Sequence, residues 1–234
     1  LKSKATGNES RMTEAEIIST LFAFSNPKQP EKGILQGIGD DAAILKIPQN
    51  QTLITCVDTF ALGVHAPVDT SAADFAYKAV ASCLSDIAAM GAKPCWALLA
   101  LSHPSGDLHW LKTFSAELQL ILQRYDIALI GGDLSKGPLT ANVHILGLST
   151  NPQHMCRHMA QEGDDIYVSG TLGRAAAGLA CRQSLPPRVS FSTATSKKLT
   201  AALFRPEPRI SLGQALAPLA HAAIDLSDGL LKDL

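Results

Sequence analysis

The chain has 234 residues with a formal net charge of −1, 46% hydrophobic residues and only 5% aromatics. That length is enough for one large domain or one domain plus part of a second, and an apolar content built mostly on Ala, Leu and Ile suits α/β or α+β layers better than an aromatic-rich all-β sandwich. The near-neutral charge, with no long basic run, gives nucleic acid no electrostatic support as a partner. Five dispersed cysteines without a CxxC pair, and seven scattered histidines without HExxH, argue against a zinc ribbon or a disulfide framework and point to reduced thiols in a cytoplasmic protein. No apolar run reaches the roughly 18 residues of a membrane span.

Residues 1–11 lack an apolar signal core and read as disordered or tag-like. Thr13-Glu-Ala-Glu16 is a capping box, and Ile17, Ile18, Leu21 and Phe22 follow at helical spacing. Ala42 to Ile47 and Thr52 to Val57 read as strands, and Ser71-Ala-Ala-Asp74 caps a helix expected to run to Met90. An apolar strand follows from Cys95 to Leu101, then an amphipathic helix from Leu108 to Tyr125. Ile127 to Ile130 and Thr140 to Leu148 read as strands, with Gly131-Gly132-Asp133 to Pro138 as the loop between them. A second unit is expected from about residue 151. It comprises a turn and strand over Gly163 to Ser169, a helix from Leu172 to Cys181, breaks at Pro186-Pro187 and Pro206 to Pro208, a helix from Arg209 to Leu219, and a short strand from Ala222 to Asp225. Leu230 to Leu234 reads as a helix just starting, so the chain is expected to stop short of a complete second domain.

Against this frame, aspartates recur beside apolar stretches: Asp41 after Gly37-Ile-Gly-Asp40, Asp58 after Leu53 to Val57, Asp86 within a helix, Asp133 after a double glycine, and Asp225 and Asp228 in Asp225-Leu-Ser-Asp228-Gly229. Taken singly, each has an ordinary reading as a turn former or a helix cap. Asp86 is the sharpest case. It lies beside the apolar positions Ala79, Val80, Cys83, Ile87 and Met90, where an unpaired carboxylate is costly and a cation is expected nearby. Five segments ending in carboxylates suggest convergence on something positive, and oxygen-only ligands favour Mg²⁺ that in turn carries phosphates. His65 and Arg157 each read as an ordinary structural or surface residue or as a ligand contact, and Cys83 and Cys95 read as core packing. No Walker A, protein-kinase or GxSxG pattern occurs, so any ATP chemistry needs a cradle of another kind.

Together these segments resemble the thiamine-monophosphate kinase family. The resemblance is carried, in family order, by Gly37–Asp41, Val57–His65, Asp74–Pro94, Leu129–Pro138, Gly163–Gly173, Arg205–Arg209 and Ala223–Leu230, and it covers nearly all of the chain from Met12 onward. It implies ATP-dependent phosphorylation of thiamine monophosphate to the diphosphate, by direct in-line transfer of the γ-phosphoryl group. It implies an α+β fold in which an N-terminal mixed domain (12–150) binds ATP and pairs its sheet with a twin into a homodimeric barrel. An incomplete second α/β domain (151–234) would follow. It implies several Mg²⁺ ions held by Asp41, Asp58, Asp86, Asp133, Asp225 and Asp228. ATP would be contacted by Gly132, Asp133, Arg157 and Ser227, and thiamine monophosphate by His65. Rival readings are another ATP-dependent enzyme of the same superfamily, or a non-catalytic Mg-nucleotide-binding protein. The chain departs from the family at Cys56-Val57, where hydroxyl residues are usual, at Cys83, where Asn is usual, and at Ala66, where Phe is common.

Overall fold

The computed structural model describes residues 12–152, 154–182 and 191–234. The stretch 1–11 and the Pro186-Pro187 break lie outside the described residues. The capping box forms as the sequence requires: Thr13 accepts from the Glu16 N–H, and Glu16 accepts from the Thr13 N–H, opening α1 (Glu14–Ile17). A π-turn (Ile18–Phe22) continues it and places Phe22 against Phe114.

Four strands, β3 (Thr52–Ala61), β4 (Lys93–His103), β5 (Ala128–Lys136) and β6 (Thr140–Ser149), form one sheet in the order β3-β6-β4-β5. β6 runs antiparallel to both β3 and β4, whereas β4 and β5 are parallel and are joined through a helix. Two helices, α2 (Ala72–Ala89) and α3 (Leu108–Arg124), pack on one side of the sheet. Ser71 caps α2, and Asp107 caps α3 by accepting from His109 and Trp110. α2 is unusually rich in small residues, and Ala76, Ala79, Ala81, Cys83 and Ala88 are all buried. They let its backbone lie close to Ala141, Val143 and Ile145 of β6, which are also buried.

The other side of the sheet is covered only in part. A small ribbon, β1 (Ile34–Gln36) with β2 (Ile44–Leu45), packs Ile34 and Leu45 against Trp96, Ala128 and Ile130. The Trp96 indole N–H donates to the Lys32 carbonyl at 3.0 Å. Over β3 that side is open, with Leu53 41% and Val57 63% exposed.

After β6 the described chain is helical, with α4 (Arg174–Arg182), α5 (Thr193–Phe204), α6 (Ile210–Leu216) and α7 (Leu230–Asp233). α6 lies on α2, and the two backbones meet where a Cβ on Gly213 would stand 2.0 Å from the Ala88 carbonyl oxygen. Arg205 ties this layer down: its guanidinium pairs with Asp74 on α2 and Glu117 on α3 and lies over the Tyr77 ring at 4.8 Å.

Several expectations change in three dimensions. β3 does not stop at Val57 but runs through Asp58 to Ala61, because β6 offers a ladder partner for every residue of it. Gly131-Gly132-Asp133 is strand rather than loop, since β4 extends to His103 and pairs as far as Lys136. The β2 strand shrinks to Ile44–Leu45, and β1 was not foreseen. Neither Gly163 to Ser169 nor Ala222 to Asp225 forms a strand, because among the described residues no neighbouring strand offers a ladder; Ile166 and Tyr167 stand 68% and 86% exposed. α5 had no counterpart in the sequence reading.

Gly213→Ala is expected to lower stability by roughly 2 kcal/mol or more, because the added methyl group has only backbone to push against. Urea unfolding measures this, and an unchanged midpoint would mean that α6 does not bear on α2 as described.

A candidate carboxylate site beneath the helical layer

Strand alternation decides which residues of β3 meet the helices. Ile54, Cys56, Asp58 and Phe60 face α2, while Leu53, Thr55, Val57 and Thr59 face away. Asp58 is therefore half-buried beneath α2, and Asp86, in the last turn of α2, approaches it from above. The segment between α6 and α7 brings in a third carboxylate, Asp225. One cation answers them: Arg157 Nη2 lies 3.8 Å from Asp225 Oδ1, with its own side chain 71% exposed.

The electrostatics follow from that arithmetic of charge. Burial, then Asp225 and Asp58, push the Asp86 carboxyl up to about 6, with Arg157 opposing. Burial and Asp225 raise Asp58, and His65 opposes. Burial raises Asp225, and Arg157 opposes. Asp86 and Asp225 stand close enough to perturb each other, with Asp225 raising the Asp86 carboxyl. The recess thus carries more negative charge than its protein partners neutralise.

His65 stands beside Asp58. Its Nδ1 accepts from the Ala61 N–H at 3.0 Å, and its ring stacks on Phe60 with centroids 5.8 Å apart. Lys78, which the sequence reading did not single out, joins it here. Its ammonium donates to the His65 carbonyl at 3.4 Å and lies 5.8 Å from the Phe60 ring centre, and burial lowers its pKa. A helical lysine on an alanine-rich face carries no motif; only the fold shows that it faces the histidine loop.

Two cysteines also sit at the recess. Cys56 Sγ and Cys83 Sγ are 3.3 Å apart, and the Cys83 thiol donates to the Val143 carbonyl at 3.3 Å. Cys83 packs in the core as expected, whereas Cys95 is only partly buried.

The remaining sequence-derived candidates have their own local partners. Asp41 is exposed in a turn where its N–H donates to Asp40 Oδ1 at 2.8 Å. Asp133 pairs across to Ala100 on the sheet side away from the helices, since the adjacent Leu134 packs in the main core with Leu101. Gly132 abuts β4 so closely that a Cβ would stand 1.9 Å from the Leu99 carbonyl oxygen. Asp228 pairs with Lys232, and the N–H groups of Ser227, Asp228 and Gly229 all donate to Asp233 Oδ2 at 2.9 to 3.1 Å. The structure therefore brings Asp58, Asp86, Asp225, Arg157 and His65 into electrostatic contact and places Asp133 and Gly132 on β5, while Ser227 and Asp228 bind Asp233, whose charge also acts on Asp225.

Residues 39–149 match the family model described as AIR synthase related protein, N-terminal domain. The chain is 44% identical over 223 residues to the thiamine-monophosphate kinase of Buchnera aphidicola subsp. Schizaphis graminum, covering 94% of this chain and 67% of that one. Among solved structures, the thiamine-monophosphate kinase of Stenotrophomonas maltophilia K279a superposes with a TM-score of 0.79 at 46% identity, covering 86% of this chain and 65% of that one. The structure of AaThiL complexed with AMPPCP and TMP superposes with a TM-score of 0.71 at 28% identity, covering 83% and 62%. The chain spans about two thirds of the length of the curated relatives it matches.

The raised Asp86 carboxyl has a stability consequence in metal-free buffer. Between the ordinary value of 3.8 and about 6, the folded chain binds more protons at Asp86 than the unfolded chain does, so its contribution becomes less unfavourable as pH falls through that window. Asp86→Asn is therefore expected to unfold at higher temperature than the wild type at pH 7 in EDTA, with the difference shrinking toward pH 5. Thermal melts of both across this range provide the measurement; a variant less stable at pH 7 would contradict the crowding of charge.

Proposed function

The chain belongs to the thiamine-monophosphate kinase family, and we propose that the protein transfers the γ-phosphoryl group of ATP to the phosphate of thiamine monophosphate. The observation that carries this reading is the half-buried group of Asp58, Asp86 and Asp225, with Arg157 as its one cationic partner. The named ligands of AaThiL, AMPPCP and TMP, fit the same reading: an ATP analogue and a monophosphate acceptor.

The carboxylate set fits Mg²⁺. It offers oxygen ligands only, in surplus over protein cations, in a recess that remains partly open to water. When bound there, Mg²⁺ ions would offset the repulsion between an anionic acceptor and a polyanionic nucleotide. Asp58, Asp86 and Asp225 would hold them. Asp41, Asp133 and Asp228 are the further ligands in our reading, for an ion other than the one held by Asp58, Asp86 and Asp225, since Asp133 lies on β5 and faces the opposite side of the sheet. Gly132, Asp133, Arg157 and Ser227 would contact ATP, with Arg157 adding charge toward a phosphate. His65 would contact the thiamine substrate from its position against Phe60.

The acceptor is a phosphate oxygen already ionised near neutral pH, so no side chain need remove a proton from it. The oxygen bonds to the γ-phosphorus as the bond to the β-phosphate oxygen breaks, and ADP leaves. The residues contribute position and charge, and no phosphoenzyme forms. In this reading, residues 12–150 form the N-terminal unit and 151–234 part of a second α/β unit, and the end of the family-model match at residue 149 supports that boundary. The protein is read as a cytoplasmic homodimer. The uncovered side of the sheet over β3, with Leu53 and Val57 exposed, supports pairing with a second copy into a barrel.

Asp58→Asn is expected to cut turnover by about 100-fold or more, since loss of one metal-bound carboxylate removes several kcal/mol of charge stabilisation. A coupled ADP-release assay with thiamine monophosphate and Mg²⁺ measures it, with circular dichroism confirming the fold. Near-normal turnover of Asp58→Asn at low Mg²⁺, or stoichiometric label on the protein from γ-labelled ATP, would overturn the mechanism.

A further inference from the structure

Two cysteines, Cys56 on β3 and Cys83 on α2, come together in the fold. Cys56 Sγ and Cys83 Sγ stand 3.3 Å apart, and with a carboxylate oxygen of Asp86 they form a group whose ligand atoms all lie within 4.8 Å of one another. Among the described residues it is the only such group of three metal-capable side chains. We infer that Cys56, Cys83 and Asp86 form a binding site for a thiophilic divalent cation of the zinc class, distinct in chemistry from an oxygen-only magnesium site.

Magnitudes favour a cation over a direct sulfur–sulfur bond. Zinc–sulfur bonds of about 2.3 Å set two thiolates about 3.8 Å apart around a tetrahedral ion. The pair needs to open by only about 0.5 Å to reach that spacing. A disulfide needs its sulfurs about 2.05 Å apart, a closure of more than 1 Å between a strand and a helix that are both packed. Entry is open from one side: Cys83 is fully buried, whereas Cys56 and Asp86 keep partial exposure. Three protein ligands leave the fourth position to water. Binding replaces two thiol protons, which pass to solvent, and transfers no electrons, so occupancy falls as pH is lowered. Magnesium does not compete for thiolates. An ion held here takes Asp86 from the carboxylate group; that inhibitory consequence rests on the function proposed above, but the site itself does not.

The test is titration of the reduced chain with Co²⁺ alone, without nucleotide. A sulfur-to-cobalt charge-transfer band in the near ultraviolet, saturating at one Co²⁺ per chain, is expected. Zn²⁺ should abolish it and excess Mg²⁺ should leave it. Cys56→Ser should weaken binding at least tenfold, as should Cys83→Ser, and Asp86→Asn should weaken it with the band retained. The triple variant Cys95→Ser, Cys156→Ser, Cys181→Ser should bind like the wild type. Should Cys83→Ser fail to fold, the wild-type spectrum and Cys56→Ser decide. Absence of the band at saturating Co²⁺, or its persistence at full strength in Cys56→Ser, would overturn the site. The absorbance requires no turnover, so failure here leaves the kinase reading standing, and failure of kinase activity leaves this result standing.

Discussion

Repulsion among three carboxylates held in one partly desolvated recess is the constraint on which the architecture turns. Burial and Asp225 hold both the Asp58 and Asp86 carboxyls above the ordinary carboxylate range, so a cation nearby would be favoured. Arg157 answers only part of that charge, from an exposed position against Asp225 that also acts on Asp86. The site is therefore tuned by what it lacks. In the proposed function, that shortage of positive charge is what a bound metal ion would offset, and the stability given up without it would reappear as binding free energy.

The scaffold holds this arrangement by close approach of backbones. Small side chains along α2 let it lie low over β6, which puts Asp86 within reach of Asp58 on the neighbouring β3. Gly213 lets α6 rest directly on α2, and the chain leaving α6 then delivers Asp225 to the same spot. Arg205 holds the layer in register through Asp74, Glu117 and Tyr77, well away from the carboxylates. Positioning and charge are thus supplied by different parts of the molecule, so the repulsive centre is clamped from outside.

The cysteine pair places two sulfur atoms beside the carboxylates. Sulfur atoms at 56 and 83 occupy core-facing positions, and each thiol satisfies itself against a backbone carbonyl. In the readings proposed above, a hard and a soft cation would share one ligand, Asp86.

Much of this was legible in the chain itself. Capping residues Thr13, Ser71 and the apolar periodicity of α2 and α3 placed helices because these are local effects, acting over three or four residues. The ordered set of motifs from Gly37 to Leu230 identified the family, and the cost of a carboxylate on an apolar helix face marked Asp86. What the sequence could not contain was the partner of each strand. β6 carries β3 on through Asp58 and β4 carries β5 through Asp133, while Ile166 to Val168 finds no partner strand among the described residues. The same ladders send Asp58 toward the helices and Asp133 to the opposite side, and they bring Cys56 against Cys83. Residue types and local spacing set which groups could hold a cation; only long-range hydrogen bonding and packing, whose partners are distant in the chain, decided which of them share one recess.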